Sequence, residues 1–138
     1  MTFKELNELV VAIRVKKNCF DFKTRVAEMI LTPEYGVDAT LKGKNFKLEF
    51  KDCLFYGSLN QKQLNRENGQ EFILWGERAL NDNEYDVLFD LMTEKRGPAS
   101  MARKWVRSQP RSYRCYFFEN AFGDSLKIVC SDVIVEES

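Results

Sequence analysis

The 138-residue sequence predicts an α+β fold: an antiparallel sheet of four or five strands with helices packed mainly on one face. Three observations lead there. Apolar residues recur at helical spacing near the N-terminus and again through residues 82–108. They alternate at period two around 46–50 and 126–130. Helix-like and strand-like runs come in blocks, which does not suit an alternating parallel arrangement.

Thr2-Phe3-Lys4-Glu5 is a capping box, in which the threonine hydroxyl accepts from a backbone N–H three residues on and Glu5 reaches back. Phe3, Leu6, Leu9, Val10 and Ile13 share one helical face behind it, so a first helix is expected over 3–16. Phe22, Val26, Met29 and Ile30 give a second over 22–31. Thr32-Pro33 ends it, because the residue before a proline disfavours the α region. Val37, Ala39 and Leu41 then alternate with polar neighbours, as do Phe46, Leu48 and Phe50. With Gly43-Lys44-Asn45 between them, the two runs read as a β-hairpin with one buried face. Asp52 and the apolar pair Leu54-Phe55 point to a bulge or register change beyond it. Residues 58–70 are polar and read as a loop or short exposed helix.

Phe72-Ile73-Leu74-Trp75 places a strand over 71–76. Asn81-Asp82-Asn83-Glu84 starts a helix, with Val87, Leu88, Leu91 and Met92 inward and Gly97-Pro98 as its stop. A short helix over 99–108 follows, with Met101, Ala102, Trp105 and Val106 on one arc. Tyr113–Phe118 and Leu126–Val135 are the last strands. In the second of these the buried phase moves from Leu126, Ile128 and Cys130 to Val133 and Val135, with the slip at Asp132.

Length and composition suit one globular domain spanning 1–138: hydrophobic residues make up 44% and charged residues 30%. No stretch approaches the roughly 20 apolar residues that cross a bilayer, and Met1-Thr2-Phe3-Lys4-Glu5 does not begin a secretory leader. A cytoplasmic protein without membrane contact is expected. Cys19, Cys53, Cys115 and Cys130 are far apart and form no C-x-x-C pair, so four reduced thiols are expected and no metal site.

The chain has no histidine. Ser-His-Asp and Cys-His arrangements are therefore excluded, as is histidine ligation of a metal. Asp82, Glu84, Asp86 and Asp90 resemble a ligand cluster, but a capped and solvated helix start accounts for them. No glycine-rich phosphate loop and no G-x-S-x-G occurs. A protein that is not an enzyme and carries no cofactor is the expectation.

The charge distribution supplies the functional signal. Between Lys95 and Phe118 there are seven Lys or Arg and no acid, while the chain as a whole balances 21 against 21. A segregated field of this kind steers partners even at zero net charge. Lys95 and Arg96 fall in a helix's last turn, where cations are favoured anyway. The candidate partner-binding residues are therefore Arg103, Lys104, Trp105, Arg107, Arg111 and Arg114. A solvated surface helix would show the same stripe.

Taken together, these features point to a small non-catalytic binding protein acting through protein–protein contact. An inhibitor or regulator, of the toxin-immunity or anti-defence kind by analogy of make-up alone, fits that description. The alternative is nucleic-acid binding through the basic segment 95–114, with Tyr113 or Tyr116 stacking on bases.

Overall fold

The computed structural model describes residues 1–35, 40–59, 69–81 and 113–138, and the fold below is that of these residues. One short helix, α1 (Phe3–Leu9), precedes nine strands: β1 (Ala12–Asp21), β2 (Val26–Tyr35), β3 (Phe46–Lys51), β4 (Phe55–Leu59), β5 (Gln70–Phe72), β6 (Leu74–Ala79), β7 (Arg114–Glu119), β8 (Ser125–Cys130) and β9 (Asp132–Glu137). They form two sheets in the orders β5-β1-β2-β3-β9 and β4-β8-β7-β6. Every pairing is antiparallel.

Three extended stretches leave one sheet and enter the other. β3 runs into β4 past Asp52, β5 into β6 at Ile73, and β8 into β9 at Ser131. β3 pairs with β9 and β4 with β8, so two bent stretches stay side by side through the same corner. On the other flank β5 pairs with β1 and β6 with β7. The pairing therefore runs around a ring: β1, β2, β3/β4, β8/β9, β7, β5/β6 and back to β1. Strands that bend between two sheets are how barrel-like sandwiches turn their corners.

The expected α+β architecture is thus corrected to a largely antiparallel β structure of two sheets. Helices do not cover one sheet face; among the described residues α1 is the only helix. Its capping box forms as the sequence predicts, with Glu5 N–H donating to Thr2 Oγ1 at 3.1 Å. The helix stops at Leu9 rather than at 16, because Val10 is already extended. Val11, Ile13 and Val15 are β-branched and lose side-chain freedom in a helix, and Ile13 and Val15 bury as alternate residues of β1. A register shift between Ala12 and Ile13 lets both of them bury in succession, which imitates helical spacing.

The helix expected over 22–31 is a tight turn followed by β2, where Ala27, Met29, Leu31 and Pro33 point inward. Pro33 is tolerated because the pairing of β2 with β3 ends at Leu31, so its missing N–H breaks no bond of that ladder. The strand expected at Phe46, Leu48 and Phe50 is present with the predicted face inward, but its hairpin partner is β2 and not the run at 37–41. Residues 40–43 form a turn, and 37–39 lie outside the described residues. The strand over 71–76 exists, split between the two sheets. The slip foreseen at Asp132 falls one residue earlier, at Ser131. The expected helices over 82–94 and 99–108, and the acidic group Asp82, Glu84, Asp86 and Asp90, lie outside the described residues. No described helix is long and apolar enough to cross a membrane.

The core lies between the sheets and is aromatic at its centre. Phe3 of α1 meets Tyr116 at 4.9 Å and Trp75 at 5.4 Å, both edge to face. Phe118 stacks on Trp75 at 6.2 Å and meets the edges of Phe50 and Phe72. Edge-to-face and offset pairs at these separations add to burial because ring edges and faces carry opposite partial charge. The helix is fixed as a plug by two polar contacts: Asn7 donates to Trp75 O at 2.8 Å, and Trp75 Nε1 donates to Val11 O at 3.2 Å. A smaller cluster of Tyr113, Cys115 and Val129 occupies the other face of the four-stranded sheet.

Candidate functional site

Of the six residues singled out in the sequence, Arg103, Lys104, Trp105, Arg107 and Arg111 lie outside the described residues. Arg114 is the exception, and it opens β7. Its guanidinium faces Glu77 of the neighbouring β6, Nε to Oε2, at 3.4 Å. Part of its charge is met within the sheet by that carboxylate. The structure offers another cationic site in its place.

The β1–β2 hairpin ends in a turn that Asp21 organises. Its carboxylate accepts from the backbone N–H of Lys23 at 2.8 Å and of Thr24 at 3.4 Å, and its carbonyl accepts from Arg25 N at 2.8 Å. Arg25 sits at φ 55° to close the turn. The turn is clamped to the sheet corner from both directions: Cys53 N donates to Arg25 O at 2.9 Å, and Arg25 Nη1 donates to Cys53 O at 3.3 Å.

This braced tip holds out Phe22, which is 85% exposed. Its ring leans edge-on against Phe20 at 4.9 Å, and Phe20 stacks on Tyr56 of β4 at 5.3 Å with the planes 6° apart. Tyr56 OH donates to Asn18 Oδ1 at 2.9 Å, and burial pushes its phenol up to about 12. The aromatic row therefore runs from a half-buried, fixed end to a fully presented end. Over residues 16–25 the hairpin carries Lys16, Lys17, Lys23 and Arg25 against Asp21, while Glu28, paired opposite Cys19, and Glu34 lie further along β2. All four cations are exposed, while the Asp21 carboxylate is engaged by backbone N–H groups. The other exposed phenylalanine among the described residues, Phe122 in the β7–β8 turn, has Glu119 and Asp124 as its nearest charged neighbours in sequence. A presented aromatic ring with a cationic surround thus occurs at the β1–β2 tip.

Sequence reading missed this site because residues 22–31 were assigned to a helix. A signal was available. Four cations lie within ten residues around an Asp followed by an exposed aromatic, and Asp is a common organiser of tight turns through its own side chain.

A second polar group lies across β1, β2 and β5. Arg14 binds Glu34 through Nε and reaches Glu71 Oε2 at 3.4 Å. The two carboxyls thus share one guanidinium. Burial works against ionisation of Glu34, but the hydrogen bond from Arg14 and the neighbouring Glu71 carboxyl outweigh it and hold Glu34 below its ordinary value of 4.5. The neighbouring Glu34 carboxyl favours the protonated form of Glu71 and raises it above 4.5. The contribution of Glu34 to stability is present above pH 4.5 and is lost as pH falls through its lowered value. That of Glu71 is complete below pH 4.5 and is lost as pH rises through its raised value. Glutamine at 71 keeps a donor facing Glu34 at every pH. Glu71→Gln is therefore expected to flatten the decline of Tm above pH 4.5 while leaving Tm at lower pH unchanged. Thermal melts of both proteins across that range check this, and parallel curves would show that the Glu71 proton does not matter.

Among the described residues no group of three or more cysteine, aspartate or glutamate side chains could hold a metal ion. Comparison with protein-family models, with curated proteins and with solved structures finds nothing that matches this chain.

Proposed function

We propose that the chain is a non-catalytic binding protein that docks an acidic protein surface through its β1–β2 hairpin tip, with Phe22 as the anchor. The observation that supports this is the presentation of one phenylalanine on a turn held by five hydrogen bonds, three within the turn and two to Cys53, with the exposed cations Lys23 and Arg25 in the same turn and Lys17 further along β1. Rigid aromatic anchors and arginines dominate interface energetics because they bury much area at little cost in conformational freedom. Cations around the anchor speed encounter with an acidic face and select among partners. A role as inhibitor or regulator has no support in the fold or in the comparisons.

Protein is favoured over nucleic acid by the state of the rings. A single-stranded nucleic acid needs successive open ring faces for its bases. Here Phe20 and Tyr56 cover each other, and Phe22 alone is open.

The test compares the native chain with Phe22→Ala and with Lys17→Glu/Lys23→Glu, residues whose side chains support no part of the core. Each is used to capture proteins from nuclease-treated native lysate. A protein retained by the native chain should be lost at least tenfold from both variants, with Tm unchanged. Retention by both variants would place the site elsewhere. Capture that vanishes with nuclease, together with a gel shift that weakens steeply with salt, would turn the reading to nucleic acid.

A further inference from the structure

The corner where β3 bends into β4 beside β8 and β9 contains two of the four cysteines. On one side of the bend Leu54 N donates to Val129 O at 2.8 Å, and on the other Ser131 N donates to Lys51 O at 3.2 Å. Asp52, at φ 54°, makes the bulge between them. Cys53 and Cys130 therefore face each other across the strand pair at a site flanked, not bridged, by backbone hydrogen bonds. In antiparallel pairs such sites bring Cα atoms to about 4.5 Å, at the near end of the range that disulfides span. Both side chains point into the core and are fully buried. Each thiol donates to a backbone carbonyl of its own strand pair, Cys53 to Phe50 O at 3.2 Å and Cys130 to Asp132 O at 3.6 Å. The neighbouring thiol draws Cys53 below its ordinary value, and the same proximity together with burial pushes Cys130 up. Cys19 is exposed and Cys115 belongs to the separate cluster on the other face of the four-stranded sheet, so neither is placed to compete.

We propose that Cys53 and Cys130 are a modification site: a disulfide-forming pair that, once oxidised, locks the corner shared by the two sheets. The oxidant is a small disulfide of the glutathione class. The Cys53 thiolate attacks one sulfur of that disulfide and expels the first small thiolate, leaving a mixed disulfide on Cys53. The Cys130 sulfur, giving up its proton, then attacks the Cys53 sulfur and expels the second. The two protein protons end on the two released thiols, and the oxidant is reduced by two electrons as the protein is oxidised by two. Burial keeps the closed corner from reacting, so the bond forms while the chain folds or when the corner opens. Because Cys53 also clamps Arg25, the lock would hold the base of the hairpin tip. The inference does not depend on what the tip binds.

The experiment refolds the native chain in a glutathione redox buffer and maps its cross-links by peptide mass spectrometry. The expected product has lost two hydrogens, joins the Cys53 peptide to the Cys130 peptide and leaves Cys19 and Cys115 free to alkylate. Closing so long a loop is expected to raise Tm by about 10 °C over the reduced protein, and reductant should reverse the rise. A chain that keeps four alkylatable thiols, cross-links through Cys19 or Cys115, or shows no higher Tm when the 53–130 bond is present would overturn the proposal.

Discussion

Replacing Phe118 with alanine is expected to cost about 3–5 kcal/mol of folding stability, the range for deleting a fully buried aromatic side chain. The reason is its place in the ring cluster. Phe118 is fully buried on β7 and touches Phe3, Phe50, Phe72 and Trp75, which come from α1 and from both sheets. Those neighbours are tied down by backbone pairing and by the Trp75–Val11 hydrogen bond, so the vacated space cannot collapse cheaply. Urea denaturation should show a lowered midpoint with an unchanged slope. A loss under about 1 kcal/mol would mean that the two sheets can close over the gap, contrary to close packing at this point.

Gly69 is the second sensitive position. It stands at φ +79° immediately before β5, and a Cβ there would lie 2.3 Å from the backbone carbonyl oxygen of Val15 on β1. The close approach is what allows β5 to pair with β1 and so complete the ring. Gly69→Ala is expected to destabilise by about 2–3 kcal/mol, combining left-handed strain with displacement of a paired strand. Gly43 provides the control, since its φ is +80° but nothing lies within 4 Å of a Cβ built on it. Gly43→Ala should cost only the backbone term, about 1 kcal/mol. Equal losses at the two sites would show that the contact with Val15 is relieved by movement.

The contrast between sequence and structure has a physical pattern. Signals that depend on near neighbours were legible. The capping box at Thr2 and Glu5, the period-two face of Phe46, Leu48 and Phe50, and the inward Leu126, Ile128 and Cys130 all hold in the fold. The errors came where tertiary pairing altered the local period. The register shifts at Ala12/Ile13 and Val15/Lys17 disturb the alternation of β1, so its apolar residues can be fitted to a helix. In β2 the inward set is Ala27, Met29 and Leu31, whereas the helical reading chose Val26, Met29 and Ile30; the two share only Met29. Pro33 reads locally as a stop, although it sits harmlessly past the end of β3. That β3/β4 and β8/β9 each serve two sheets could not be read locally, because the partners that bend them lie far off in the chain.

The candidate site was missed for the same reason. A hairpin displays its tip only once its two arms are recognised, and the local pattern reads part of each arm as helix, 12–16 of β1 and 26–31 of β2. The composition of that tip was visible throughout in Lys16, Lys17, Phe22, Lys23 and Arg25.

The ring of pairings has a kinetic consequence. Ile13 must find Phe72, and Phe46 must find Glu137, before either sheet is complete. Such distant partners charge the chain a large loop entropy before their contacts return anything, so the folding time belongs with those of non-local β structures, milliseconds to seconds. The β1–β2–β3 meander needs only short loops and can form early. It leaves β1 and β3 as open edges until β5 and β9 arrive, and during that interval the unpaired backbone of Ile13–Val15 and Phe46–Lys51 is the part of the chain most prone to pair with another molecule.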